Sequence, residues 1–313
     1  MIWVTPMPDG YFIRRLLFSV YLMFLMVCSA CTAAEQTTTP EAWAKKHDAY
    51  FIGRNFKRFD VKQPGRDAIA SIEFTSTPIT DADLNKLAQG KPELYRLGIG
   101  QSRVTDSGIV YLSNITTLQS IDLAGTPISN TGLKSLASLK NLRTLNLSNN
   151  AIDDNGVRYL SSLDQLSTLD VSKTSIKGES ISGFAALSVL YANDTPIDDQ
   201  GLRSLSKQKS LIAIELARTK LTDNGVASLI LLPKLSSLNL TGTRITEQGI
   251  EKLSSLSKSL TSLKLDSVPL SDASIKSLST LKNLSLLSLV NTNITKDGVT
   301  KLKQALPEVS IIH

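Results

Sequence analysis

The side chains most often used in catalysis or metal binding are few and far apart in this chain. Its 313 residues include two histidines, His47 and His313, and two cysteines, Cys28 and Cys31. A nucleophile with its base, or a transition-metal site, needs such groups close together in the fold. The sequence therefore predicts no Ser-His or Cys-His catalytic centre, no metal site and no cofactor.

Carboxylates are the remaining candidates for catalysis. Asp122 and Asp170 occupy equivalent places in two predicted strands, separated by two strand spacings, or about 10 Å. This separation is slightly beyond the range over which inverting glycosidases hold their acid and base. Nothing in the sequence builds a pocket around the pair. We therefore expect no enzyme, and a carboxylate-based glycosidase is the less favoured alternative.

The elements that position these residues are copies of one unit. The segment Leu142–Leu166 begins with apolar residues at the alternating spacing of a strand and continues with apolar residues three apart, as on one helical face. One unit is therefore a strand, a turn and a helix. Such a unit cannot bury its apolar face alone, so it must stack on copies of itself.

The copies recur with a nearly constant period. Successive units start 24 or 25 residues apart, except for one interval of 21 residues between Leu166 and Leu187. Their first apolar residues are Ile69, Leu94, Leu118, Leu142, Leu166, Leu187, Leu211, Leu235, Leu260 and Leu284, and Val309 opens an incomplete last unit.

The consensus LxxLxLxxTxIxDxGLxxLxxL resembles that of leucine-rich repeat proteins, as in LRTLNLSNNAI, LSSLNLTGTRI and LSLLSLVNTNI. Its continuation TxITDxGL is similar to the cysteine-containing and GALA-type repeats. The resemblance implies an α/β fold: a curved, horseshoe-shaped solenoid of about ten turns, with a parallel sheet on the concave face and helices on the convex face. It implies little about function, because architecture defines this family.

Three positions of the repeat carry polar or small residues for structural reasons. The ninth position is usually Thr, Ser or Asn, whose side chain can bond the turn backbone, with Val268 as an exception and a predicted local weakness. Pairs such as Thr222-Asp223 are predicted to cap helices rather than bind metal. Glycines at one fixed place, such as Gly225, indicate that neighbouring turns approach too closely for a side chain.

The repeat between Leu166 and Leu187 is irregular, because it lacks three residues and contains Gly178 and Gly183. We expect its helix to be short or a 3₁₀ turn. Tyr191 follows on the next predicted strand, which favours the middle of the concave face as the binding site.

Outward-facing strand residues form columns on the predicted sheet. The flanking columns are mostly small residues, so the concave face is predicted to be a polar trough with an acidic stripe. The predicted partner-binding residues are those of the central column, Asp122, Asn146, Asp170, Tyr191, Glu215 and Asn239, together with three cations at the edges, Arg143, Lys173 and Arg218. Polar residues at these places are also what any exposed sheet needs for solubility, and that interpretation remains open.

The N-terminus reads as a targeting signal over residues 1–30. Arg14 and Arg15 precede an apolar run, Leu16–Val27, that is too short to serve as a permanent membrane anchor. The Ser-Ala-Cys sequence ending at Cys31 resembles the lipobox of bacterial lipoproteins, which implies lipidation of Cys31. Cleavage near Ala30, Ala33 or Ala34 without lipidation is an open alternative, giving a secreted or periplasmic protein, and translation could start at Met7.

The remaining chain divides into a flexible tether (31–40), an N-terminal cap (41–68) with a short strand at 49–52, and the repeat domain (69–313). The formal net charge is +6. Without a basic run or interleaved aromatics, this surplus does not indicate nucleic-acid binding.

We therefore expect a membrane-anchored scaffold of the cell envelope, in the periplasm or at the cell surface, that binds a protein or polysaccharide through its concave face. Two alternatives remain. A self-associating structural lipoprotein could pair through the strand predicted at 309–312. A substrate-adaptor role is suggested by the similarity to the repeats of F-box proteins, but residues 31–69 show no F-box helices.

Overall fold

A computed structural model describes residues 49–51, 71–74, 79–90 and 93–313. The predicted signal peptide, the tether, Cys31, most of the cap and the start of the first repeat lie outside the described residues. No helix in the described ranges is long and apolar enough to cross a membrane.

One sheet of twelve strands runs through the described residues in chain order. Strands β2 to β12 are parallel to one another, and β1 pairs antiparallel with β2. The strands are β1 Ala49–Phe51, β2 Ser71–Phe74, β3 Arg96–Gly98, β4 Ser120–Asp122, β5 Thr144–Asn146, β6 Thr168–Asp170, β7 Val189–Tyr191, β8 Ala213–Glu215, β9 Ser237–Asn239, β10 Ser262–Lys264, β11 Leu286–Ser288 and β12 Ser310–Ile312.

A helical segment follows each of the strands β2 to β11, so the repeating unit is strand, turn and helix as predicted. The α-helices are α1 Asp81–Gln89, α2 Asp106–Leu112, α3 Asn130–Leu136, α4 Asp154–Arg158, α5 Asp199–Leu205, α6 Asp223–Leu229, α7 Glu247–Leu253, α8 Ile275–Leu278 and α9 Lys296–Ala305. Three 3₁₀ segments span Ser180–Gly183, Ser254–Leu256 and Asp272–Ser274. The first of them confirms the prediction for the irregular repeat.

The core is a single apolar column between the sheet and the helices. In the unit that starts at Leu142, the side chains of Leu145, Leu147, Val157 and Leu160 are all fully buried, and equivalent residues of the other repeats join the same cluster. Each such leucine contributes about 1.5–3 kcal/mol by leaving water. The core is therefore continuous across repeats, so each unit depends on its neighbours.

The hydroxyl at the ninth position closes the turn after the strand, as predicted. Thr219 donates to the carbonyl of Leu216 at 2.8 Å, and the threonines of five other repeats make the same bond. Asn150 additionally donates to Leu123 of the preceding repeat at 2.8 Å. Val268 is fully buried at this position, and the predicted weakness there stays a prediction.

The polar pairs at the helix starts have two different roles. Their first residues are N-caps, as predicted: Thr222, for example, accepts from the backbone N–H of Asn224. Their second residues reach the next repeat instead. Asp199 accepts from the N–H of Thr222 at 2.9 Å and from its hydroxyl at 2.6 Å. We call this link, in which a carboxylate accepts from the N–H and the hydroxyl of a residue in the next repeat, an acidic staple. Acidic staples also join Asp81 to Thr105, Asp106 to Ser129, Asp154 to Ser180, Asp223 to Thr246, Glu247 to Ser271 and Asp272 to Thr295.

The fixed glycine is required by this staple. A Cβ added to Gly225 would overlap the carboxylate oxygen of Asp199, and four other glycines stand in the same relation to the preceding staple residue, while a Cβ at Gly156 would overlap the amide oxygen of Asn130. The predicted close approach of neighbouring turns is therefore confirmed, and a staple side chain is the group approached. Ser274 occupies the glycine place in one repeat, and there the preceding staple residue is the longer Glu247.

Candidate functional site

The central column of the concave face has the predicted order and register. Strand pairing aligns Glu73, Gly98, Asp122, Asn146, Asp170, Tyr191, Glu215, Asn239, Lys264 and Ser288 side by side. Neighbouring members are separated by one strand spacing of about 4.8 Å. Six of the nine predicted contact residues therefore lie in one line across the sheet.

The polar residues at the strand ends share a backbone contact. Asp122 accepts from the N–H of Ala124 at 2.9 Å, and Asp170 accepts from that of Ser172 at 2.9 Å. Asn146 makes the equivalent bond with its amide oxygen, at 3.0 Å to the N–H of Ser148. An uncharged amide therefore accepts the same local hydrogen bond as a carboxylate.

Burial makes the two aspartates electrostatically unusual. Loss of solvent raises the pKa of Asp122 and of Asp170 above the ordinary value for Asp, against the lowering effect of their backbone hydrogen bonds. The negative charge of Asp122 also acts in the raising direction on Asp170. Burial therefore disfavours the ionised form of both carboxyl groups at these positions.

A third carboxylate extends this row toward the N-terminal end. The side chain of Glu73 lies over Gly98, where an added Cβ would be 3.0 Å from the Glu73 Cγ. Burial raises the pKa of Glu73, the charge of Asp122 adds to that rise, and Arg96 opposes it. Three carboxylates thus occupy alternate strands, with Gly98 and Asn146 between them.

Tyr191 stands between negative groups in the middle of the column. Burial raises the pKa of its hydroxyl, and the charges of Glu215 and Asp170 add to the rise. The phenol is therefore neutral at physiological pH and can donate a hydrogen bond. Its ring is half-buried and follows the short 3₁₀ repeat, so the predicted neighbourhood of Tyr191 and the irregular unit is confirmed.

The predicted residues beyond Tyr191 are paired with one another. Asn239 donates from its amide nitrogen to Glu215, and Lys264 lies 3.7 Å from the other oxygen of that carboxylate. The oxygen of Asn239 accepts from the N–H of Thr241 at 2.9 Å, and the side chain is 8% exposed. Contact of Glu215 and Asn239 with a partner stays a prediction. In the structure, both side chains bond to neighbouring residues of the sheet.

The edge cations differ in their environment. Arg143 and Lys173 are exposed. Arg218 instead forms a bidentate ion pair with Asp194, with N–O distances of 2.5 and 2.7 Å. Hydrogen bonds from Arg218 hold the pKa of Asp194 below its usual value. Asp194 was missed in the sequence, and its only signal there is its place one repeat before Arg218.

A shared backbone conformation presents the last residues of this edge. Lys173, Asp194 and Arg218 all have positive φ, between 56° and 58°, as do six more residues at the same place in other repeats. The chain turns there from the strand toward the helix. Lys173 and Arg218, two of the predicted edge cations, therefore lie at the same corner of their respective repeats, and both are exposed.

Small side chains on both sides keep the row of carboxylates accessible. One flanking column includes Ser120, Thr144, Thr168 and Ala213, and the other includes Ala124, Ser148, Ser172 and Ala217. Within the described ranges, no group of three or more acidic, histidine or cysteine side chains could hold a metal ion. The arrangement is suited to non-covalent recognition of a cationic or hydrogen-bonding surface.

Comparison with known proteins identifies the repeat. A family described as Leucine Rich repeat matches residues 114–137, 138–161 and 232–254. No curated protein gave a significant match over the chain. The chain therefore contains leucine-rich repeats.

Solved structures with the same architecture include three examples. Internalin C2 of Listeria monocytogenes is 22% identical, with a TM-score of 0.52, over 71% of this chain and 81% of that one. A leucine-rich repeat protein of Leptospira interrogans is 18% identical, with a TM-score of 0.52, over 74% and 62%. The mouse RP105/MD-1 complex matches at 21% identity, with a TM-score of 0.57, over 75% and 40%. The fold is a curved leucine-rich repeat solenoid, as the sequence predicted.

Proposed function

We propose that this protein is a non-catalytic binding protein that recognises a protein partner through its concave face, between Asp122 and Glu215. The solenoid exposes a continuous parallel sheet there, and proteins of this architecture use such extended surfaces for binding. The observation that carries the proposal is the presence of half-buried carboxylates where an amide makes the same backbone hydrogen bond.

The comparison between equivalent strands supports this directly. Asp122 and Asp170 accept one backbone N–H each, as do Asn146 and Asn239 in other repeats. The amides make this bond without a charge, and burial disfavours the charged form of the two aspartates more than the backbone hydrogen bonds favour it. Residues that cost stability in this way are typical of functional surfaces. A cationic group on a partner would offset the unfavourable charge.

The chemistry of the trough defines the kind of partner. Arginine or lysine side chains can pair with Asp122 and Asp170 in charge-assisted hydrogen bonds. Tyr191 offers the aromatic surface that energetic centres of interfaces favour. Because large aromatic residues are otherwise scarce on this face, we expect an extended contact over several repeats, with moderate affinity per contact.

Partner capture from crosslinked cells tests this proposal. Asp122→Asn combined with Asp170→Asn should reduce recovery of the partner at least tenfold, because two close charge pairs are lost while the backbone bonds remain. The matched control is Asp164→Asn with Asp297→Asn, which removes the same charge from exposed sites off the column. Equal recovery by the two double variants would show that the trough is not the site.

A polysaccharide is the second candidate ligand. The hydroxyls of Ser120, Thr144 and Thr168 line one side of the carboxylate row at one strand spacing, which suits repeated contacts with sugar hydroxyls. Binding to an array of envelope glycans would separate the two candidates. A glycan that competes with the captured protein and loses binding in the Asp122→Asn and Asp170→Asn double variant would favour this alternative.

We also propose, from the sequence of the N-terminus, that the chain is exported and lipidated on Cys31. Metabolic labelling with an alkyne-bearing fatty acid should mark the wild type and Cys28→Ser but not Cys31→Ser. Label retained by Cys31→Ser would contradict lipidation at that residue, and a protein without label in all three forms would indicate simple secretion.

A further inference from the structure

A second charged surface lies on the rim where the chain passes from a helix into the next strand. Four successive rim segments, residues 206–212, 230–236, 254–261 and 279–285, contain no aspartate or glutamate. They contain five lysines, Lys207, Lys209, Lys234, Lys258 and Lys282. We call these four segments the lysine rim.

The earlier repeats do not share this charge. Their four rim segments, residues 113–119, 137–143, 159–167 and 184–188, contain Lys140, Arg143 and Asp164. The net charge of the rim therefore rises from +1 in the earlier repeats to +5 in the later ones. Since the fold is the same in both halves, the repeat architecture does not require the extra lysines.

Local hydrogen bonding accounts for part of the lysine rim. Lys209 donates to the carbonyl of Leu231 at 3.0 Å, and Lys282 donates to that of Ala305 at 2.7 Å, so each stabilises the end of the following helix. The side-chain ammonium groups of Lys207, Lys234 and Lys258 make no hydrogen bond or ion pair with the described part of the chain. These three charges have no structural role there.

Exposed apolar side chains accompany these charges. Leu231 is 55% exposed and Ile212 is 44% exposed, and both belong to the lysine rim. They are two of the five large apolar side chains that are exposed in the described ranges. A shallow depression of about 590 Å³ is lined by Lys207, Lys209 and Lys234 and by residues of the short 3₁₀ repeat, including Ser182 and Gly183.

We propose that the lysine rim is a docking surface for an anionic lipid membrane. A row of lysines with protruding leucine and isoleucine side chains is the combination that binds bilayers peripherally: the charges attract acidic headgroups and the apolar side chains enter the interface. The depression has the size and charge to take one phosphate-bearing headgroup. This surface is separate from the trough, which would face sideways from the bilayer and stay open to a partner.

A membrane fits this surface better than an acidic peptide. The charges are spread over four repeats, and the depression beside Lys207, Lys209 and Lys234 is shallow and has no aromatic side chain in its lining. An extended, shallow surface of this kind recognises a high density of negative charge rather than the sequence of a peptide. The lysine rim therefore matches a planar array of headgroups.

Co-sedimentation of the full chain with vesicles tests the proposal. Vesicles of pure phosphatidylcholine measure any contribution of the apolar N-terminal segment, and vesicles with 30 mol % phosphatidylglycerol add the negative charge. At about 0.1 M salt we expect the anionic vesicles to bind at least tenfold more tightly. Lys207→Gln, Lys234→Gln and Lys258→Gln together should remove that excess, since each interfacial lysine contributes about fivefold and the three together about 100-fold.

The matched control replaces three exposed lysines elsewhere, Lys134→Gln, Lys177→Gln and Lys220→Gln, and should keep the preference for anionic vesicles. Leu231→Ser should weaken binding to anionic vesicles several-fold, and 0.5 M salt should abolish the preference. Equal binding to both kinds of vesicle would overturn the proposal. An equal loss in the control triple variant would show that net charge, and not the lysine rim, is responsible. Either result leaves the concave-face proposal untouched.

Discussion

At the scale of single residues, the most informative comparison is between aspartate and asparagine at equivalent strand ends. Asp122 and Asn146 lie one strand apart and make the same bond to a backbone N–H. They differ in charge, and burial raises the pKa of Asp122. The charged form is therefore the feature that needs a functional explanation.

This comparison predicts that neutralising the carboxylates stabilises the protein. A raised folded-state pKa means that each group favours folding below its unfolded pKa, near 3.8, and that this contribution is lost as the pH rises through the folded-state value. At pH 7 the double variant Asp122→Asn, Asp170→Asn should be more stable by about 0.5–2 kcal/mol, the usual range for such changes. The advantage should shrink as the pH falls toward 4.

Thermal unfolding between pH 4 and pH 7 measures this effect. The control, Asp164→Asn with Asp297→Asn, should not raise the unfolding temperature, because both side chains are exposed and Asp297 lies in the first turn of α9, where a negative charge is favourable. A double trough variant that is less stable than the wild type at pH 7 would mean that the charges support the fold.

The buried hydroxyl of Ser274 leads to a second residue-scale prediction. It is 1% exposed and has no hydrogen-bond partner in the described structure. A buried polar group without a partner costs about 1–3 kcal/mol. Ser274→Ala should therefore stabilise the protein by about 1 kcal/mol in denaturant unfolding, more than Ser135→Ala in α3, which gains only helix propensity. Loss of stability would reveal an unrecognised partner of the hydroxyl.

At the scale of elements, the acidic staples explain why most repeats keep a glycine at one place. The sequence predicted a close approach at that glycine and a cap at the helix start, and both are confirmed. It did not predict that the staple carboxylate spans two repeats, because Asp199 is adjacent in sequence to its own cap, whereas its bonding partner Thr222 is 23 residues away. The Asp199 side chain therefore points toward a residue that is close in space but distant in sequence.

The staple predicts a strong coupling between two positions. Gly225→Ala should destabilise the protein by about 2–4 kcal/mol, because the added Cβ overlaps the Asp199 carboxylate. Asp199→Ala alone should cost about 1–3 kcal/mol through its lost bonds to Thr222. The double variant should cost less than the sum of the two, since removing the carboxylate removes the overlap.

Urea unfolding of the four proteins gives the coupling energy. We expect a favourable coupling of at least 1 kcal/mol between the two substitutions. Gly183→Ala is the control, because its Cβ would meet no staple residue and would lie 3.2 Å from the Cβ and 3.9 Å from the Cα of Ser161. Additive effects of Gly225→Ala and Asp199→Ala would contradict the explanation of the fixed glycine.

At the scale of the whole molecule, the repeat period fixes most of the fold in advance. Period, strand register and the order of the central column follow from the spacing of leucines, so the candidate residues could be placed in one line from the sequence. The pairing of Glu215 with Lys264, and of Arg218 with Asp194, could not. These bonds join side chains of different repeats, and their formation depends on rotamers and local burial that a periodic pattern does not encode.

The molecule also divides its charges between two surfaces. Carboxylates concentrate in the trough of the earlier repeats, and lysines concentrate on the rim of the later ones. From 93 to 202 the chain has 8 basic and 11 acidic residues, and from 203 to 313 it has 15 and 8. We expect the two surfaces to act independently, because contacts in a solenoid run mainly between neighbouring repeats.

The most direct test of the concave-face proposal is the dissociation constant of the captured partner, measured by titration calorimetry at pH 7 with the stability of each variant measured in parallel. For Asp122→Asn with Asp170→Asn, we predict affinity lowered at least tenfold in a protein that unfolds at a higher temperature than the wild type. Unchanged affinity in this more stable variant would contradict the account, because the buried charges would then serve neither the fold nor the partner.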